Sequence, residues 1–164
     1  MDSTRPVDYG ATMSADEEIR ARVSGLPAPA FDPIATTVAP PLAEARVAIV
    51  TTAGLRPAGE IDLWRPGDFS FTVLPGDARD FQLSHFSPNF DRAGITADLN
   101  VVLPADRLAE LAAAGTIGSV ATNHLSFMGA QTDETFATLR LDTGPAAAKL
   151  LRDDGVDVVL LTPV

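Results

Sequence analysis

Pro145-Ala146-Ala147-Ala148-Lys149-Leu150-Leu151-Arg152-Asp153-Asp154, then Gly155, then Val156-Asp157-Val158-Val159-Leu160-Leu161-Thr162-Pro163-Val164, reads as a helix, a stop and an apolar strand. Proline suits the first turn of a helix and glycine its end. Apart from Asp157 the run over 156–161 is valine and leucine on both alternations, the pattern of a strand buried on both faces. A helix followed by such a strand is the crossover unit of a doubly wound sheet. Ligands of open α/β sheets bind just beyond the carboxyl ends of the strands, so Val164 falls where chemistry is expected.

Working outward, Val47-Ala48-Ile49-Val50-Thr51-Thr52, closed by Ala53-Gly54, fits a second buried parallel strand feeding a loop. Residues 69–74 alternate more loosely and end at Pro75-Gly76, which predicts an edge or amphipathic strand. Residues 98–103 are expected to be extended. Residues 104–114 form a helix with Pro104 in its first turn, Gly115 at its end, and Leu108, Leu111 and Ala112 on one face. Residues 117–121 are expected to form a further core strand.

The alternation predicts an α/β fold: a three-layer sandwich around a mostly parallel, flavodoxin- or Rossmann-like sheet. Residues 1–41 are read as a proline-rich arm, broken by Pro6, Pro27, Pro29, Pro33, Pro40 and Pro41. One short helix fits there, capped by Ser14 and stopped by Gly25. The arm is expected to lie on its own body or on a neighbour. Residues 42–164 are the α/β domain.

Twenty-two acids against twelve bases give a formal net charge of −10, which disfavours nucleic acid and anionic membranes as partners. No apolar run reaches the ~18–20 residues of a membrane span. Met1-Asp2-Ser3-Thr4-Arg5 lacks the basic and apolar regions of a secretory signal, so the expected location is cytoplasmic. The absence of cysteine excludes disulfides, thiolate–zinc sites and a thiol nucleophile from these residues. Two histidines make a multi-histidine metal site an unfavoured reading, and no metal is expected.

Candidate sites follow from the strand ends. Thr51-Thr52-Ala53-Gly54-Leu55 offers hydroxyls and free backbone N–H groups for a carboxylate or phosphate, or it is simply a strand-to-loop turn. No Gly-Lys-Ser/Thr follows, so it is not a P-loop. His85, in Ser84-His85-Phe86-Ser87-Pro88-Asn89-Phe90-Asp91, is either a proton donor or substrate ligand oriented by Asp91, or a loop histidine making one structural hydrogen bond. In Asn123-His124-Leu125-Ser126-Phe127-Met128-Gly129, His124 and Ser126 could be base and nucleophile of a hydrolase. No Gly-x-Ser-x-Gly elbow surrounds the serine, and the reading preferred is a pocket lining turned by Gly129. Asp133 and Glu134 are explained as the acids of a helix start.

Five blocks in order resemble one family. Val47 to Gly54, Gly67-Asp68-Phe69-Ser70-Phe71, Asp98-Leu99-Asn100-Val101-Val102-Leu103-Pro104-Ala105-Asp106-Arg107-Leu108, His124 to Gly129 and Asp154 to Val164 are similar to the selenoprotein B family of glycine, sarcosine, betaine and D-proline reductases. The resemblance implies reductive cleavage of a carbon–nitrogen bond by a selenolate or thiolate that lies immediately after the last strand. It also implies partner proteins that restore the reduced state. No cofactor is then expected within this chain, and the redox Cys or Sec comes from a partner or a missing segment. Three explanations stay open: the chain is cut from a longer one, the second half is a separate polypeptide, or cleavage before a cysteine exposed a pyruvoyl group.

On this resemblance His85 and His124 are the candidate catalytic residues. Thr51, Thr52, Gly54, Asn100, Ser126, Gly129 and Thr162 are the candidate contacts to a small-molecule substrate. The last strand would be central in the family's sheet, so these residues alone would leave apolar surface uncovered. A tight partner is expected, either a second polypeptide with the C-terminal half or another copy of this chain. The alternative is a non-catalytic small-molecule-binding or assembly module with the same fold. A Ser/His hydrolase is a distant third.

Overall fold

A computed structural model of the chain describes residues 14–25, 37–62, 64–87, 90–131 and 137–164. Contacts divide the chain into two compact units, Met1–Thr37 and Val38–Val164. In the first, α1 (Ala15–Ser24) begins on a capping box: the Glu17 N–H donates to Ser14 Oγ at 3.3 Å and the Ser14 N–H to Glu17 Oε2 at 2.8 Å. Asp16, Glu17 and Glu18 meet the positive end of the helix dipole. Pro6, Pro27, Pro29 and Pro33, and the helix start expected at Asp133 and Glu134, lie outside the described residues.

The second unit is α/β and is organised around β1 (Arg46–Thr51). Arg46 and Val47 pair in parallel with β5 (Ser119–Val120), and Val50 and Thr51 with β6 (Asn123–Phe127). Along the other side, residues 47–51 pair in parallel with all of β7 (Val158–Thr162). Beyond β6 lies β3 (Phe71–Pro75), which runs antiparallel to it. A separate antiparallel pair joins β2 (Leu55–Pro57) to β4 (Phe81–Leu83). The sheet is therefore mixed, parallel around β1 and antiparallel at β3.

Alternation along β1 splits the core in two. Val47 and Ile49 pack with Leu74, Val102 and Leu103, and with Ala105 and Leu108 of α3 (Ala105–Ala113). Ala48 packs instead with Leu125 and with Ala147 and Leu151 of α4 (Gly144–Asp153). Ile49, Leu74 and Leu125 are inaccessible to solvent, and burying each such side chain contributes about 1.5–3 kcal/mol. At the start of the strands, Asp154 accepts from the Arg46 guanidinium at 2.8 Å and from the Thr122 N–H at 2.7 Å. Burial alone would raise the Asp154 carboxyl, but hydrogen bonds from Thr122, Arg46 and Asn123 outweigh it and hold its pKa below the usual value.

Several elements differ from the sequence expectation. Residues 98–103 are not extended: Asp98 Oδ1 accepts from the Asn100 N–H at 2.9 Å and starts a 3₁₀ turn (Leu99–Val101). On α3, Leu108 is buried but Leu111 is exposed. The strand expected over 117–121 is only two residues long, and β6, expected as a pocket lining, takes over its place beside β1. A π-helical turn (Leu139–Thr143) precedes α4. Among the described strands β7 pairs with β1 alone, and Val159, Leu160 and Leu161 on it are 38%, 40% and 67% exposed.

Candidate functional site

The carboxyl ends of β1, β6 and β7 converge. Beyond β1, the Thr52 hydroxyl grips one residue twice: the Val164 N–H donates to Thr52 Oγ1 at 2.9 Å, and Oγ1 donates to the Val164 carbonyl at 3.3 Å. Thr51 Oγ1 is buried; it donates to the Thr162 carbonyl at 3.3 Å and accepts from the Ala53 N–H at 3.2 Å. Thr162 Oγ1 in turn donates to the Val102 carbonyl at 2.8 Å. Three threonines thus lock the end of β7 to β1 and to the 3₁₀ turn before α3.

Gly54, at φ +65°, turns the chain out of the sheet, and its N–H donates to the Phe127 carbonyl at 2.9 Å. A Cβ there would lie 3.2 Å from Met128 Sδ and 3.3 Å from the His85 backbone. The Ser126 hydroxyl is buried and accepts from the Leu55 N–H at 2.7 Å. Gly129 donates its N–H to the Thr52 carbonyl at 2.9 Å. A Cβ on Gly129 would stand 3.0 Å from Thr52 O, 3.1 Å from His85 Nε2 and 3.2 Å from Val164 O. The missing side chain is what lets the imidazole and the end of β7 approach one another. The next residue, Ala130, sits at φ +55°, the strained left-handed region for a residue with a Cβ.

His85 is 5% exposed and its ring stacks on Phe90, with centroids 4.0 Å apart and planes at 17°. Its Nδ1 accepts from the Ser87 N–H at 3.3 Å. A nitrogen that accepts an N–H carries no proton, so the neutral ring holds its proton on Nε2. That Nε2 is buried without a hydrogen-bond partner. Burial first, and the Arg92 cation second, lower the pKa and keep the ring neutral. Asp91 is not the group that orients it: its Oδ1 accepts from the Ala93 N–H at 2.9 Å at the start of α2 (Ala93–Ala97).

The structure therefore brings together His85, Thr51, Thr52, Gly54, Ser126, Gly129 and Thr162, and leaves two candidates apart. His124 is buried midway along β6, where its Nδ1 accepts from the Ile49 N–H at 3.2 Å and its Nε2 is unpartnered. Burial, then the charge of Arg79, push its pKa down to about 4. Asn100 spends its amide on α3: Nδ2 donates to Asp98 and Asp106, each at 2.9 Å, and Oδ1 accepts from the Asp106 N–H at 3.2 Å. An open cleft of about 340 Å³, lined by Gly76, Asp77, Ala109, Val120, Ala121 and Thr122, lies at the opposite end of the parallel strands.

Phe90 and Arg92 were not singled out from the sequence. Phe90 lies in the aromatic segment 84–91, and Arg92 follows that segment directly as a base in an acidic chain. Among the described residues no group of three or more His, Asp or Glu side chains could hold a metal ion. No helix among them is long and apolar enough to cross a membrane.

A family model described as glycine/sarcosine/betaine reductase selenoprotein B matches residues 15–164. The chain belongs to this selenoprotein B family. It is 37% identical over 132 residues to the D-proline reductase subunit gamma of Acetoanaerobium sticklandii, covering 79% of this chain and 53% of that one. The sarcosine reductase complex component B subunit beta of Peptoclostridium acidaminophilum is 32% identical over 144 residues, 83% of this chain and 32% of that one. The glycine reductase complex component B subunit gamma of Carboxydothermus hydrogenoformans is 32% identical over 169 aligned positions, 94% of this chain and 38% of that one. The chain thus spans about half or less of these selenoprotein B relatives. No solved structure matches it.

Proposed function

We propose that this chain is the pocket-bearing component of a reductase, acting on a small amino acid or amino-acid derivative of the kind for which its relatives are named. A thiolate or selenolate from outside these residues attacks the carbon that bears nitrogen; a chalcogen–carbon bond forms as the carbon–nitrogen bond breaks, and the amine departs with a proton from solvent. A dithiol reductant then attacks the chalcogen, the carbon leaves with the electron pair and takes a proton, and closure of the dithiol to a disulfide returns the thiolate or selenolate. The observation that carries this reading is the meeting at Gly129, where the buried, unpartnered His85 Nε2–H and the end of β7 both approach the space a side chain would fill. A neutral N–H donor there can hold a substrate oxygen or stabilise an arriving thiolate without a charge of its own. Thr52 fixes the heading of the β7 end, and Gly54 and Gly129, having no Cβ, let the surrounding segments pack closely on one another.

The completed fold in this reading is a three-layer, flavodoxin-like sandwich, supported by α3 and α4 packing with alternate residues of β1. The outer edge of β7 is covered by polypeptide from beyond this chain, a second polypeptide or another copy. Its free backbone groups and exposed Leu160 and Leu161 support that. The test is carbon–nitrogen cleavage with a dithiol reductant, read as amine release from glycine and sarcosine and as ring opening of D-proline, using this chain together with a polypeptide bearing the cysteine or selenocysteine segment. Release that needs both components and falls at least tenfold in His85→Gln is expected. Release indifferent to this chain would overturn the proposal. A binding or assembly module is the second reading, favoured by the lack of any cysteine in these residues; it predicts association without amine release.

A further inference from the structure

Arg92 stands beside the His85 pocket with its charge uncommitted. Its Nη2 donates to the His85 carbonyl oxygen at 2.7 Å, which ties the guanidinium to the residue whose ring lines the site. Arg46, Arg56, Arg65, Arg79 and Arg107 each lie within 4.0 Å of an aspartate or glutamate. Arg92, like Arg20, Arg22 and Arg152, makes no such pair with a described residue, and of these four it is the one bonded to His85. The neighbouring carboxylate Asp91 faces the Ala93 N–H instead. A guanidinium presents five N–H donors in a plane, so one bond to a carbonyl leaves a fork that matches a carboxylate.

The surroundings favour a small occupant. The Phe90 ring stacked on His85 makes an apolar wall, the buried His85 Nε2–H is a second donor without a partner, and Gly129, which has no side chain, is packed closely against that nitrogen. One cation fork at the rim and one neutral donor inside suit a molecule with a carboxylate at one end and its reacting atoms at the other. Resting on the reductase reading above, we infer that Arg92 is a substrate-binding residue that takes the carboxylate of the amino-acid substrate. The reacting carbon is thereby directed toward His85 and the end of β7. Arg92 then sets a preference for free acids over esters and amides, independently of which side chain the substrate bears.

The test is a pair of titrations followed by ¹H–¹⁵N spectra: glycine, sarcosine and D-proline, each against its methyl ester, on the wild-type chain and on Arg92→Gln and Arg92→Lys. In the wild type an acid shifts the amides of His85, Phe90 and Gly129, and its ester binds about tenfold more weakly, the scale of one charge-assisted contact. In Arg92→Gln the acid falls to the level of the ester while the ester is unchanged, and Arg92→Lys keeps part of the preference. Equal weakening of acid and ester would mark Arg92 as a support for the His85 loop alone. No change in either would remove it from binding. Both outcomes overturn this inference and leave the reductase reading standing. If no acid shifts the site amides in the wild type, this inference and the pocket reading fall together.

Discussion

Acid should destabilise this protein through His124 well before its carboxylates are touched. The ring is inaccessible, its Nδ1 is occupied by the Ile49 N–H, and its pKa in the fold is about 4 against an ordinary 6.5. The unfolded chain therefore binds the extra proton between these values. Stability is fully present above 6.5, falls as pH drops through that value, and the loss is complete below about 4. From pH 7 to pH 5 the loss is about 2 kcal/mol, roughly twentyfold in the unfolding constant. His85, whose pKa is also lowered, adds a loss of the same sign. Asp98, Asp106 and Asp154 also have lowered values, but what they contribute is lost only below their ordinary 3.8. Urea unfolding followed by the single tryptophan, Trp64, at pH 7, 6 and 5 reads the slope for the wild type, His124→Gln and His85→Gln. His124→Gln should lose most of the pH dependence whatever its absolute stability. An unchanged slope in that variant, or a His124 imidazole that titrates near 6.5 by NMR, would refute the reasoning.

Other outcomes follow from single contacts. Gly129→Ala places a Cβ within about 3.2 Å of three atoms and should cost about 1–3 kcal/mol in urea unfolding, with the His85 ring resonances displaced. Ser126→Ala leaves the buried Leu55 N–H without its acceptor and should cost about 1–3 kcal/mol; any ester-cleaving activity should be unaffected, and its loss would revive a serine mechanism. The exposed edge of β7 should make the isolated chain associate with rising concentration in sedimentation, and Leu160→Lys should suppress this; a stable monomer at all concentrations would count against an uncovered edge.

The elements legible in the sequence were those whose side chains agree with their environment. The apolar run of β1, α3 with its first-turn proline, and the α4–β7 unit all announced themselves. β6 did not, because His124 and Ser126 look like solvent or site residues. They are buried because each accepts a main-chain N–H, from Ile49 and from Leu55, so a polar side chain serves where an apolar one would be expected. The β2–β4 pair joins residues from either side of β3, and no local pattern encodes such pairing. The site was legible as a set of strand ends, since the run of Thr51 and Thr52 stops where parallel strands stop. Its arrangement was not: that Asn100 serves α3, that Phe90 rather than Asp91 holds the imidazole, and that Arg92 is tied to His85 are facts of packing between segments.

In both imidazoles of the described fold Nδ1 accepts from a backbone N–H and Nε2 is left unbonded, and both pKa values are pushed below the ordinary one. In neutral solution neither is a proton reservoir. A pH–rate profile that bends between about 7 and 9 would therefore report the ionisation of the nucleophile supplied to the site. On the proposed reading His85 offers a directed hydrogen bond and no proton, and the acidity that times the reaction would be that of the incoming group.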